Sequence, residues 1–433
     1  MAREKWGSQT GFWLAAIGSA VGLGSIWRFP YAMGDSGGLF LLIYLGAVIL
    51  FGLPIFMAEL AIGKKTKQGP VGAYREIANG NYGKRMGIFQ IITSLVIMSF
   101  YSLIGGYCII YIFKAGGLAG NITDLAAAQN LFNEVSENFW LSFWGMFVFL
   151  AISCAVVVVG VKGIEKLNKY LMPALFLILF VLLINSLTLP GAAKGIKFLF
   201  SFNAENFGIH CILTALGQAC FSLSIGIGIL VLFGSYCSDN NMGIVKSSII
   251  VIGADTIVSI MSAIVIFPAF FSFTNASPSS GGLELAFMAL PMIFAKMPCG
   301  AFAAVSFFIL LLIAAAASAV SLIELPVAYL MDSYGWKRWK ASFCVFAVIL
   351  IGGIPSIYSK SFLKSIDYIA SNWMLLLCVL LLCLFLRRYW DKIGISQIIK
   401  EETGSAVLSR MVSFLIKYFV PIVIIALIFS NIF

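Results

Sequence analysis

Along this chain, apolar runs long enough to cross a bilayer recur from end to end, each needing about 20 residues, with short polar stretches between them. The pattern predicts helical spans at about 11–33, 39–62, 88–114 and 139–160, and a fifth ending near 189. Six more are predicted at about 208–236, 243–272, 301–330, 340–356, 366–386 and 408–431. Basic residues gather in alternate loops. Lys64, Lys65, Lys67, Arg75, Lys84 and Arg85 follow the second span, Lys162, Lys166 and Lys169 the fourth, and Arg387, Arg388, Lys392, Lys400 and Arg410 the tenth. Such loops stay in the cytoplasm, so the chain should have eleven spans, with its N-terminus inside and its C-terminus outside. Asp124, Glu134 and Glu137 fall in an outer stretch, and a second outer loop, from Thr274 to Met297, is apolar enough to dip back toward the protein.

The first span contains what an ordinary transmembrane helix avoids. Gly18, Gly22 and Gly24 weaken the helix, Pro30 interrupts it, and Arg28 brings a full charge into the apolar run. Small residues at helical spacing also serve as packing faces, which accounts for Gly18 and Gly22 but not for Arg28-Phe29-Pro30. A helix broken at mid-membrane exposes carbonyls and amides able to hold ions and substrate termini. The sixth span repeats the pattern: Val21-Gly22-Leu23-Gly24-Ser25 is matched by Ile225-Gly226-Ile227-Gly228-Ile229. The second lies five spans further on, so it enters from the opposite side, as in an inverted repeat with its site at the midplane.

Composition narrows the class further. With 61% hydrophobic and 11% charged residues among 433, the chain is not a soluble protein. A formal charge of +10 would suit nucleic acid, but its confinement to alternate loops marks membrane topology and excludes that reading. No small-residue cleavage site follows Arg3 and Lys5, so the first span is expected to be retained. The nine cysteines form no C-x-x-C pair and read as free buried thiols. His210 is the only histidine, so no histidine metal centre or Ser-His-Asp triad can be assembled. An enzyme is not expected.

The motifs carry a specific resemblance. Arg-Glu-x-Trp from Arg3, Ala-Val-Gly-Leu-Gly-x-x-x-Arg-Phe-Pro in the first span and Ser-Leu-Ser-x-Gly-x-Gly in the sixth resemble the neurotransmitter:sodium symporter family, in a bacterial form. The outer loop from Gly281-Gly282-Leu283 through Leu290-Pro291 to Met297-Pro298 fits as well, as does the glycine, nine residues, proline spacing of Gly163 and Pro173. The resemblance runs from Arg3 to the end of the tenth span, and the family's twelfth span is missing. It implies an all-α polytopic fold, a five-plus-five inverted repeat of LeuT type with unwound helices 1 and 6. One transporter domain would fill 1–433, with repeats at about 8–190 and 205–390 and an extra helix at about 408–431.

It also implies a site. The family's amine transporters place an aspartate where this chain has Gly22, so the substrate here is expected to bring its own carboxylate, as an amino acid does. That carboxylate would meet amides near Leu23 and Gly24 and the hydroxyl of Tyr101. The ammonium would meet carbonyls around Ala20, Phe221 and Ser222, and Ser224, since helix N-termini attract anions and exposed carbonyls attract cations. Ile97, Phe221, Ile227, Ser318 and Leu322 would set side-chain preference, an apolar set that favours a hydrophobic substrate. Without the resemblance these would read as core.

Sodium takes oxygen ligands, as hard cations do. The first sodium would use the Ala20 carbonyl, Ser25, Ser222, Asp255 and the substrate carboxylate. The second would use carbonyls of Gly18, Val21 and Ala314 and the Ser318 hydroxyl, with Ala317 where an oxygen ligand is usual. In chloride-dependent relatives an anion sits among residues matching Tyr44, Gln218, Ser222 and Ser259. Asp255 supplies a fixed negative charge in its place, so chloride should not be required; the plain alternative is an aspartate facing the aqueous vestibule.

Arg28 and Asp367 are the expected outer gate, with Tyr101 and Phe221 as a lid over the substrate. Arg3 and Asp332 are the expected cytoplasmic closure, supported by Trp6, Tyr236 and Glu324, although Arg3 also reads as a topogenic charge. Gly163 and Pro173 are the expected hinge, where the inner end of span 5 unwinds easily. Glu59 is read as a solvated inner helix end, and Lys417 as a snorkelling or interface residue. The N-x-[ST] matches at Asn121 and Asn275 are read as chance.

The expected protein is a sodium-coupled amino-acid symporter working by alternating access in a bacterial inner membrane. Its partners would be a small amino acid, one or two sodium ions and the lipid bilayer, with no organic cofactor. The altered ion ligands keep a sodium-independent, proton-coupled or exchanging transporter open. A substrate-sensing receptor or channel on the same scaffold is the rival class, and a channel should show repeated polar rings rather than one midplane site.

Overall fold

Backbone buried in hydrocarbon must satisfy its own hydrogen bonds. In the computed structural model of this chain, helices alone do so: among the described residues there is no strand. Residues 3–34, 36–115, 125–202, 208–238, 243–273, 285–296 and 300–430 are described.

The first span is broken into α1 (Gln9–Ala20) and α2 (Gly24–Met33), bent by 53°. Then come α3 (Gly38–Thr66), α4 (Pro70–Ala78) and α5 (Asn81–Ala115). A surface helix, α6 (Leu125–Glu137), precedes α7 (Phe139–Val159) and α8 (Val161–Leu187). After the short α9 (Ala192–Leu199), the sixth span divides into α10 (Ile209–Ser222) and α11 (Ile229–Ser235). The rest is α12 (Ile244–Phe273), α13 (Leu290–Ala295), α14 (Gly300–Tyr334), α15 (Arg338–Tyr358), α16 (Lys360–Ile393), α17 (Ile395–Thr403) and α18 (Ala406–Phe429).

Among the described residues, nine unbroken helices and the bent first pair satisfy the length and apolarity of a span. With the divided sixth, the eleven predicted spans are present. Hydrophobicity left α4, α6, α9 and α17 unread, because short amphipathic helices beside a membrane carry no long apolar run. His210's side chain, Asn121, Asp124, Asn275, Gly281 to Leu283, and Met297 to Cys299 lie outside the described residues.

Both broken spans sit in the core. α1 packs against α8, α12 and α14, α10 against α2 and α3, and α11 against α3. The break after Ala20 follows from sequence: Val21 leaves helical geometry (φ −73°, ψ 89°) and the chain restarts at Gly24. The second break needs backbone that L-residues seldom adopt. Ser224, Gly226 and Gly228 have φ of 51°, 85° and 90°.

The Gly163–Pro173 segment is wound in this structure: α8 is helical from Val161 with Pro173 inside it. One expectation changes here. Glu59 is no solvated helix end. It is wholly buried, and its carboxylate accepts the amides of Gly226 (3.3 Å) and Gly228 (3.2 Å) from the second break. Amides freed by unwinding need an acceptor where water is absent, and Glu59 provides it. Lys417 is partly buried, with its ammonium 5.4 Å from the Trp390 ring centre.

Candidate functional site

The break in the first span brings together residues far apart in sequence. Asp255, on α12, is fully buried. A carboxylate there is tolerated only if its oxygens are satisfied, and three hydroxyls do so. Ser25 donates to Oδ1 at 2.5 Å, and Ser222 and Tyr44 to Oδ2 at 2.8 and 3.4 Å. Each hydroxyl has a single proton. With those protons spent on the carboxylate, the lone pairs of Ser25 and Ser222, whose oxygens are 3.0 Å apart, are available to a cation. The Ala20 carbonyl lies 3.4 Å from Ser25 Oγ. Ala20, Ser25, Ser222 and Asp255 therefore form one oxygen-lined cluster, rather than a carboxylate facing water.

Of the four residues expected to match the family's chloride position, two meet the same carboxylate. Tyr44 and Ser222 bond it directly, and Gln218 Nε2 donates instead to the Gly24 carbonyl at 2.9 Å. Ser259 Oγ and Gln218 Oε1 are buried without a hydrogen-bond partner.

On the other side of the break, the Leu23 amide points to the Tyr101 hydroxyl at 3.5 Å. Ser224 Oγ donates to the Ser19 carbonyl at 3.2 Å, and Ser318 Oγ lies 3.2 Å from the Gly18 carbonyl and 3.3 Å from that of Ser19. Gly22 has no room for a side chain, since a Cβ there would stand 2.6 Å from Ser318 Oγ. A Cβ on Gly24 would stand 2.8 Å from the Phe221 ring. Ile97, Ile227 and Leu322, on α5, the second break and α14, are buried, and the Leu322 carbonyl accepts from Ser94 at 2.7 Å. Val21, Ala314 and Ala317 are buried too.

Among the described residues, no group of three or more His, Cys, Asp or Glu side chains is placed to hold a metal ion. A cation at this break would rest on neutral oxygens and the single carboxylate of Asp255, a donor set that suits a hard monovalent ion better than a transition metal.

The expected gates differ from one another. Arg28 and Asp367 are not joined directly: the Arg28 guanidinium stacks 4.2 Å above the Phe221 ring, and Asp367 accepts from Ser371 at 3.1 Å. Arg3 does pair with Asp332 at 2.5 Å, donates to Ser235 at 2.7 Å and lies 4.9 Å over the Tyr236 ring. Trp6 donates its indole N–H to the Phe233 carbonyl at 3.0 Å. Tyr236 donates to Glu324 at 2.7 Å.

Sequence reasoning missed the partners of this closure. Arg338 meets Glu324 at 2.7 Å and Glu4 at 2.9 Å, and Glu4 accepts the first amide of α8, that of Val161, at 2.7 Å. Glu165 takes the Gly7 amide (2.7 Å) and the Ser8 hydroxyl (2.8 Å), so it anchors the start of α1. Arg338 carries no motif of its own, and only the Glu in Arg-Glu-x-Trp gave a signal. On this face a cavity of about 1240 Å³ is lined by Arg3, Lys67, Arg75, Lys84, Asp332 and Arg338, among others.

Comparison with known proteins agrees with the geometry. The family model described as the sodium:neurotransmitter symporter family matches residues 3–123 and 126–433. A sodium-dependent transporter of Bacillus subtilis, YhdH, is 33% identical, covering 99% of this chain and 97% of the relative. One from Methanocaldococcus jannaschii is 32% identical, covering 88% and 81%. The crystal structure of MhsT in complex with L-phenylalanine superposes with a TM-score of 0.89 at 37% identity, covering 99% of this chain and all of that one.

Proposed function

The chain belongs to the sodium:neurotransmitter symporter family, and on that premise we propose that it is a chloride-independent symporter of a hydrophobic α-amino acid. As a multi-pass membrane protein of that family it is a transporter and not an enzyme, with sodium as its coupling ion. The proposal adds the substrate, the ion sites and the alternating-access route.

One observation carries the substrate class. The break in the first span presents the Leu23 amide and the Tyr101 hydroxyl beside Gly22, a position with no carboxylate and no room for one. A substrate bound there must bring its own anion. Its ammonium would face the carbonyls around Ala20, Phe221 and Ser222, with Ser224 beside them. Its side chain would lie among Ile97, Phe221, Ile227, Ser318 and Leu322, which favours an apolar group. L-Phenylalanine in the solved MhsT complex is of that kind.

The first sodium would rest on the Ala20 carbonyl, Ser25, Ser222, Asp255 and the substrate carboxylate. The second would use Gly18, Val21, Ala314 and Ser318. Asp255, already bonded to Tyr44 and Ser222, supplies the negative charge that chloride would otherwise bring. Arg3, Asp332, Trp6, Tyr236 and Glu324 would close the cytoplasmic side. Arg28, with Asp367 beyond it, would stand over the outer side, and the Gly163–Pro173 stretch would loosen when the inner side opens. The N-terminus would lie in the cytoplasm of a bacterium, the C-terminus outside.

Uptake of radiolabelled L-phenylalanine into proteoliposomes tests this, with and without an imposed sodium gradient and with chloride replaced by gluconate. Uptake should follow sodium and ignore chloride. Competition by phenethylamine, with none from neutral amino acids, would remove the amino-acid reading; uptake indifferent to sodium would point to proton coupling or exchange.

A further inference from the structure

Helix α8 carries a polar side chain that none of these contacts uses. Asn168 is fully buried, and α8 packs against both α1 and α14. Its Nδ2 donates to the Ile164 carbonyl, one turn back, at 2.9 Å. Only the amino end of the amide can serve a carbonyl, so this bond decides which end is the oxygen. That oxygen, Oδ1, has no hydrogen-bond partner. It is aimed at Gly18: a Cβ there would collide with it, and the same Cβ would stand 3.1 Å from Ala317 Cβ. Asn168 Oδ1, Gly18 and Ala317 therefore meet at the last turn of α1 before its break.

A buried acceptor with no donor is destabilising. A cation is a partner for such an atom as much as an N–H is. The second sodium position draws on Gly18, Val21, Ala314 and Ser318, and Ala317 has a methyl where an oxygen would complete it. We propose that Asn168 Oδ1 supplies the missing oxygen and is a sodium ligand contributed by α8.

The inference rests on the sodium-symporter reading. An amide oxygen is a hard, neutral donor with no proton of its own to compete with the ion. It replaces a hydroxyl without changing the charge of the occupied site. It also ties α8 to α1 and α14 through the ion.

The test is thermal unfolding of the purified full-length protein in detergent, without substrate, as sodium chloride replaces N-methyl-D-glucamine chloride at constant ionic strength. In Asn168→Ala the sodium concentration giving half the stabilisation should rise about tenfold, the scale of one hydrogen-bond-like contact to a charge. The melting temperature without sodium should change little. Adding Ala317→Ser to Asn168→Ala should recover most of the loss, which a purely structural role for Asn168 would not allow. In the otherwise native chain, Ala317→Ser should change sodium affinity less than about twofold, because Asn168 already fills that role. This arm decides the matter if Asn168→Ala does not fold, and a tenfold tightening there would overturn the inference. So would an Asn168→Ala titration like that of the native chain, or a loss that Ala317→Ser fails to recover; either leaves the symporter reading intact. A native chain that does not respond to sodium overturns both.

Discussion

The hydroxyl of Ser25, at the break of the first span, lies 2.5 Å from a carboxylate oxygen of Asp255 on α12. That contact joins the unwound backbone to the one carboxylate of the cluster, whose charge, on the proposed function, stands in for the anion of chloride-dependent relatives. Asp255→Asn removes the charge and leaves Ser259 and Tyr44 in place. Without chloride, apparent sodium affinity should fall about tenfold or more, on the scale of a lost charged contact, and added chloride should restore part of it. Uptake by the variant in chloride and gluconate buffers checks this; normal uptake without chloride would show that the charge is not a replacement.

Gly22→Asp should abolish amino-acid binding, losing roughly a hundredfold or more, because overpacking and like charge act together. The Cβ alone would approach Ser318 Oγ to 2.6 Å. Gly22→Ala separates the two causes: it carries the steric cost without the charge and should bind more tightly than Gly22→Asp in a radioligand assay. Equal losses in both would leave no part for the charge.

Glu59→Gln should destabilise the protein by about 1–3 kcal/mol, the cost of leaving a buried donor unmatched. A carboxylate accepts the amides of Gly226 and Gly228 together, whereas an amide turns an N–H toward one of them. Thermal unfolding in detergent reads this, and an unchanged midpoint would mean that the second break does not depend on Glu59.

Arg3→Ala should open the face closed by Asp332, Ser235 and Tyr236. The Asp332 side chain is 41% exposed, so the ion pair itself contributes little. With the contacts to Ser235 and Tyr236 the loss is about 1 kcal/mol, which multiplies the open fraction about fivefold. Cys237, buried at the end of this segment, reports it. Its labelling by a water-soluble maleimide, followed by peptide mass spectrometry, should speed up by that factor, and unchanged labelling would assign the closure to other residues.

Sequence alone determined the spans and the place of both breaks, because each follows from local chemistry. A long apolar run has one low-energy state in hydrocarbon, and Gly22, Gly24, Pro30, Gly226 and Gly228 weaken a helix wherever they stand. The resemblance then brought Ser25, Ser222, Tyr44 and Asp255 into a single expected site, and the structure gathers them. Only tertiary structure decided the fate of polar residues whose partners are remote in sequence. Glu59 looked like a wet helix end until Gly226 and Gly228 were seen against it, and nothing in sequence marked Arg338, which Glu324 and Glu4 meet. Arg28, named with Asp367 as the outer gate, stacks on Phe221. A buried charge or amide takes its meaning from whichever donor or acceptor the packing brings within about 3 Å, and for these residues that partner lies on another helix.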